Sequence, residues 1–136
     1  MSKKTRSGRP VARLSEGATA LCQRIGYTFQ DRQLLLRALT HPSWRNEHGE
    51  EHGDNQRLEL LGDAVIDLII ARALFDRLPN CREGVLTVIK SRVVSERGLA
   101  ELARQIDLGP ALRLGKGELQ RGGRDAVGQA ADPHCL

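Results

Sequence analysis

Apolar residues recur along this chain at three- and four-residue intervals, so helices are its predicted building blocks. Ser15 is placed to cap a first helix whose stripe is Ala18, Leu21, Cys22 and Ile25, with Gly26 as its stop. Asp31 opens a second, with Leu34, Leu35, Ala38 and Leu39 predicted to face inward, and Pro42 keeps it from running much past His41. Residues 44–53 are polar and broken by Gly49 and Gly53, which predicts a loop. A cap at Asp54 or Asn55 then introduces residues 56–78, 23 residues that would extend about 34 Å as a helix. Leu58, Leu61, Val65 and Leu68 form one stripe of it, with Leu60, Ala64 and Ile66 beside them. A helix apolar around most of its girth belongs in the middle of a bundle, so this one is predicted to be the most buried element. Pro79 ends it. Val85, Leu86, Ile89 and Val93 predict another helix from Arg82, and Leu99, Leu102, Ala103 and Ile106 a short one closed by Gly109 and Pro110. Residues 107–125 carry five glycines and are predicted to be an exposed loop. The expected fold is all-α, one domain over residues 13–125 between a basic arm (1–12) and an atypical tail (126–136) with neither helical period nor caps.

Composition narrows this picture without redirecting it. A chain of 136 residues suits one modest domain. With 40% hydrophobic but only 3% aromatic residues, its core must be Leu, Ile, Val and Ala, a palette that favours packed helices over a sheet sandwich. The net charge of +4 suits a polyanionic partner but does not require one. Lys3, Lys4, Arg6, Arg9 and Arg13 lie in or beside the arm, whose simplest reading is a solvated tail. Cys22, Cys81 and Cys135 show no CxxC spacing, as expected of free thiols in a reducing compartment. Neither an apolar stretch of signal-peptide length nor a run of about 18 apolar residues is found, so a soluble, cytoplasmic protein with no membrane partner is expected.

The chemistry lies inside the most apolar segment. Glu59 and Asp63 stand four residues apart, which on a helix stacks them on one face. Two like charges at that spacing destabilise a bare helix, and burying either unpaired costs several kcal/mol. A cation or a basic side chain between them offsets the penalty, and hard carboxylate oxygens suit magnesium. The same spacing also suits an ordinary solvated stripe, with Asp67 and Arg57 as neighbours. Gly62 favours the site: a mid-helix glycine costs about 1 kcal/mol against alanine, which suggests that another backbone or a ligand comes close there. Elsewhere, Arg113, Lys116, Arg121 and Arg124 are candidate phosphate contacts in the glycine-rich loop. His48 and His52 have an i,i+4 metal-like spacing, but Gly49 and Gly53 argue against one rigid helix face.

The segment Asn55-Gln56-Arg57-Leu58-Glu59-Leu60-Leu61-Gly62-Asp63-Ala64 closely resembles the signature of the ribonuclease III family, usually N-E-R-L-E-F-L-G-D-[SA]. Co-linear stretches agree: Gly26-Tyr27-Thr28-Phe29, Ala38-Leu39-Thr40-His41, Glu83-Gly84, Lys90-Ser91-Arg92, and Leu112-Arg113-Leu114-Gly115-Lys116-Gly117-Glu118 up to Gly122-Gly123. The resemblance implies an all-helical endonuclease domain that forms a homodimer and cuts double-stranded RNA, rRNA precursors included, leaving 5′-phosphate and 3′-hydroxyl ends. It implies a magnesium cofactor, with manganese as an alternative ion, held by Glu59 and Asp63, both also catalytic residues. Duplex RNA closes its deep groove to side chains, so recognition by shape, phosphates and 2′-hydroxyls is expected.

Departures from the family pattern are as specific. Gln56 stands where the family usually has Glu, and Leu60 where an aromatic residue helps form the dimer contact. After Arg124-Asp125 the family continues into helices with a D-x-x-E pair, the remaining two of its four carboxylates; residues 126–136 offer none, as a frameshift or truncation would produce. A double-stranded-RNA-binding domain is likewise not found in this sequence. The expectation is therefore a ribonuclease III-type endonuclease, with a catalytically inactive relic or non-catalytic RNA-binding module as the alternative.

Overall fold

The computed structural model describes residues 13–49 and 53–122. The arm, the tail, Arg124, Cys135 and His52 lie outside the described residues. Among those described, the chain is helical: α1 (Glu16–Ile25), α2 (Arg32–Ala38), α3 (Pro42–His48), α4 (Gln56–Arg77), α5 (Glu83–Val93), α6 (Glu96–Gln105), a 3-10 turn (Gly109–Ala111) and α7 (Lys116–Gln120). The all-α expectation is met, and the extended pairing described is one isolated parallel bridge, Thr40 with Arg113.

The predicted caps act locally as their chemistry requires. Ser15 accepts the Ala18 N–H at 3.1 Å, and Gly26, at φ 67°, closes α1 in the left-handed region. Asp31 accepts from Gln33 and Leu34 at the start of α2. At α4 the capping acceptor is Asp54, whose Oδ1 takes the Gln56 N–H at 3.1 Å; Asn55 makes no side-chain cap.

The core forms where α1, α2 and the 3-10 turn meet: Ala18, Leu21, Leu35, Leu39 and Ala111 are buried, with Leu14, Cys22, Phe29, Leu108 and Leu112 packed around them. Gly17 makes this packing possible, because a methyl there would overlap the Pro110 carbonyl. Beyond the core, residues 39–41 act as a hub. Arg113 N–H donates to the Leu39 carbonyl at 2.7 Å, His41 N–H to that of Arg113 at 3.0 Å, and Asn55 N–H to that of Thr40 at 2.9 Å. Thr40 is itself 1% exposed, its hydroxyl bonded to the Leu36 carbonyl at 2.6 Å.

Four expectations are corrected. Residues 42–48 form α3 and not a loop: Pro42 occupies its first turn with φ already suited to a helix, and the His41 ring accepts the Ser43 N–H. Residues 107–122 are not one exposed loop, since Ala111 and Leu114 are buried and Lys116–Gln120 is helical. On α2, Leu36 is buried whereas Leu34 and Ala38 are exposed; on α6 the buried residue is Ala100, with Leu102 and Ile106 exposed. Above all, α4 is not the most buried element. It has no buried residue, and Leu60, Leu61, Val65, Leu68, Ile69 and Phe75 are exposed on it. The neighbour that packs along it is α5, which covers one stripe of a helix apolar around its girth.

Candidate active site

The acidic pair sits in the first two turns of α4, which leave the hub through Asn55. Glu59 and Asp63 are one helical turn apart on continuous α-helix, and both are exposed. Among the described residues neither carboxylate has an ion-pair partner. Asp67, one turn further, is held by Lys90 of α5, Nζ to Oδ1 at 3.3 Å. The acidic stripe is thus neutralised at its third member and left open at the first two.

Gly62 lies between the pair in sequence, and a Cβ built on it meets nothing within 4 Å. The close neighbour expected there is not supplied by the described part of this chain. Leu60, the dimer-contact candidate, is 78% exposed beside them.

The donor set suits a hard divalent cation. Two carboxylates offer oxygen ligands to an ion that retains several waters, the usual situation for magnesium. They form a pair and not a cage: no group of three or more His, Cys, Asp or Glu side chains that could hold a metal is found among the described residues.

The basic candidates lie on and beside α7, which docks on α3. Arg113 lies over the Trp44 ring, guanidinium carbon 4.8 Å from the centroid, and burial lowers its pKa from the usual arginine value. It remains a cation at neutral pH. Behind it, Trp44 and His48 stack at 4.1 Å and 6°, while His48 Nδ1 lies 2.9 Å from the Trp44 carbonyl oxygen. That arrangement gives His48 a packing role. Lys116 is exposed, with its backbone N–H donating to Glu47 Oε1 at 2.8 Å and Oε2 at 3.1 Å. Gly115 N–H donates to Ser43 Oγ at 2.9 Å. Arg121 is exposed at the end of α7. No described hydrogen bond or ion pair joins this basic face to the acidic pair.

Sequence reasoning passed over three features here. The Trp44 stack and the Ser43/Glu47 docking of α7 follow from i,i+4 spacing on α3, invisible once that segment is taken for a loop. The third is an ion pair of Arg45 with Asp54, Nη1 to Oδ2 at 2.6 Å, with the Asp54 side chain 9% exposed.

The same arrangement of helices occurs in known proteins. A nuclease domain of ribonuclease III from Campylobacter jejuni superposes with a TM-score of 0.73 at 33% identity, covering 83% of this chain and 74% of that one. A second structure of that domain, described for flexibility in its region involved in dimer formation, gives 0.72 at 34% identity over 79% and 72%. Ribonuclease 3 of Geobacter metallireducens is 51% identical over 114 residues, 82% of this chain and 46% of the relative. That of Bacillus cytotoxicus is 40% identical over 131 residues, 96% of this chain and 54% of the relative. The chain thus spans about half the length of these curated relatives. The family described as Ribonuclease-III-like matches residues 31–131, taking in the hub, the acidic pair and the basic face, and the chain belongs to the ribonuclease III family.

Proposed function

We propose that this chain carries the front half of the active centre of a magnesium-dependent endoribonuclease that cuts double-stranded RNA, rRNA precursors among its substrates. The observation that carries the reading is the pair Glu59 and Asp63, exposed, one turn apart and without ion-pair partners among the described residues, on the helix that matches the family signature. Glu59 and Asp63 hold the ion, with manganese as a substitute. The ion supplies positive charge beside the scissile phosphate and lowers the pKa of water. Asp63 also orients the attacking water, and Arg113, Lys116 and Arg121, with Arg124, hold backbone phosphates without selecting sequence. The exposed apolar face of α4 around Leu60 supports a homodimer, in line with the dimer formation named for the Campylobacter domain.

Cleavage of a radiolabelled RNA duplex in magnesium tests this. Asp63→Asn and Glu59→Gln are each expected to lower the cleavage rate by at least about a hundredfold, as loss of a preorganised charge in an active centre does, while leaving duplex binding intact. A second reading, a non-catalytic RNA-binding module, is favoured by the sequence of residues 126–136, which carries no D-x-x-E pair. Duplex binding without metal-dependent cleavage would establish that reading instead.

A further inference from the structure

Helix α4 poses a mechanical problem. It is 22 residues long, has no buried side chain, and yet carries the two carboxylates whose placement matters. Its neighbour α5 follows through the far turn, and the ion pair described between the two, Lys90 with Asp67, lies beyond the Glu59 end. What holds the near end is a short set of polar anchors at residues 54–56. Asn55 N–H donates to the Thr40 carbonyl at 2.9 Å. Asp54 accepts the Gln56 N–H through Oδ1, while its buried Oδ2 lies 2.6 Å from Arg45 Nη1 of α3 as an ion pair, a contact of charge and proximity and not a directed hydrogen bond. The Asp54 side chain is 9% exposed and that of Arg45 31%, so the carboxylate is shielded while the guanidinium is partly open, and the pair is screened less than a fully exposed bridge. Arg45 is further oriented by Nη2 donating to Asn46 Oδ1 at 3.1 Å.

We propose that the Arg45–Asp54 ion pair is a positioning device for the metal carboxylates, locking the first turn of α4 to α3 so that Glu59 and Asp63 are presented in one orientation. One carboxylate performs both tasks: it caps the helix backbone and fixes the direction in which the helix leaves. Glu59 follows directly, its N–H bonded to the Asn55 carbonyl at 2.8 Å, so a rotation of the first turn moves its side chain. In this proposal Arg45 and Asp54 are positioning residues that act through Glu59. This proposal rests on the assignment of Glu59 and Asp63 as metal-binding residues.

Two variants of the full-length protein separate positioning from simple charge. Asp54→Asn keeps an oxygen for the Gln56 N–H but removes a negative charge near the site; Arg45→Met removes a positive one. Both break the lock. If the pair positions Glu59, both variants raise the magnesium concentration for half-maximal cleavage by about tenfold, the lower end of what loss of orienting partners costs a metal site. KM for duplex RNA stays unchanged and kcat falls. Calorimetric titration with manganese shows the same weakening without relying on activity, and Arg45→Lys restores part of it. Circular dichroism and thermal unfolding confirm that each variant is folded at the assay temperature. Opposite shifts in the two variants would mean that the pair acts only through long-range charge, and a lowered melting temperature with unchanged metal dependence would mean a structural role only; either overturns the proposal. Failure of the underlying assignment is distinguishable, because then Glu59→Gln itself leaves metal binding unchanged.

Discussion

At the scale of single residues, glycines show what the fold asks of its sequence. Gly115 is required by close packing and not by backbone conformation: its φ is −65°, but an added Cβ would lie 2.8 Å from the Ser43 carbonyl oxygen and 2.6 Å from Glu47 Oε1. That carboxylate is the acceptor for Lys116, so a methyl group displaces the residue that docks α7 on α3. Gly117, two residues on, meets nothing within 4 Å. Gly115→Ala is therefore expected to destabilise the protein by about 1–3 kcal/mol, as overpacking does, and Gly117→Ala to stabilise it by about 0.5–1 kcal/mol through helix propensity. Thermal unfolding of the two variants checks the pair of signs; equal shifts would mean that α7 is not docked through Gly115. Gly62 resembles Gly117 within one chain, since its added methyl also meets open space. If a second copy packs there, Gly62→Ala weakens association at protein concentrations where the single chain is unharmed.

At the scale of elements, legibility in the sequence followed how local the cause was. Ser15, Asp31 and Gly26 act within a few residues of themselves, and their helices start or stop where the sequence predicts. Helix α3 was hidden because its signals were unusual: a histidine cap at His41 and a stack of Trp44 on His48 in a segment otherwise rich in loop formers. The burial of Ala111 and Leu114 depends on residues about a hundred positions away at Gly17 and about seventy away at Ser43, beyond the reach of any periodicity. For α4, periodicity marks the helix and sets Glu59 and Asp63 one turn apart on it, but says nothing of which surface covers the apolar girth. In the described chain α5 covers part, leaving Leu60, Leu68 and Phe75 each at least 70% exposed. An apolar patch of that kind drives association. Leu60→Glu is expected to shift the protein towards monomer in sedimentation velocity, by introducing a charge that must be desolvated where the two copies meet. Unchanged association would place the dimer surface away from this face of α4.

At the scale of the whole molecule, the 21 basic and 17 acidic residues nearly balance, so net charge alone does not support the proposed binding of RNA. The proposed contacts are a local cluster on and beside α7, Arg113, Lys116 and Arg121. Such a cluster makes a quantitative prediction. Each phosphate neutralised by a basic side chain releases counterions, and log K against log salt steepens by about 0.7–0.9 per phosphate. Arg113 is a poor probe, because removing it also strips the Trp44 ring of its cation. Lys116 and Arg121 are better. Both are exposed, and the described structural bond of Lys116 is through its backbone N–H, which alanine keeps. The double variant Lys116→Ala/Arg121→Ala should bind duplex RNA more weakly by the same factor for every sequence tested. Its salt dependence should be shallower by about 0.7–0.9 for each phosphate no longer neutralised, with the rate at saturating RNA unchanged. Filter binding across a salt series measures both. Weaker binding at an unaltered slope would mean that the substitutions disturbed the fold of α7. Unaltered binding would mean that RNA lies across another face and that these side chains serve solubility.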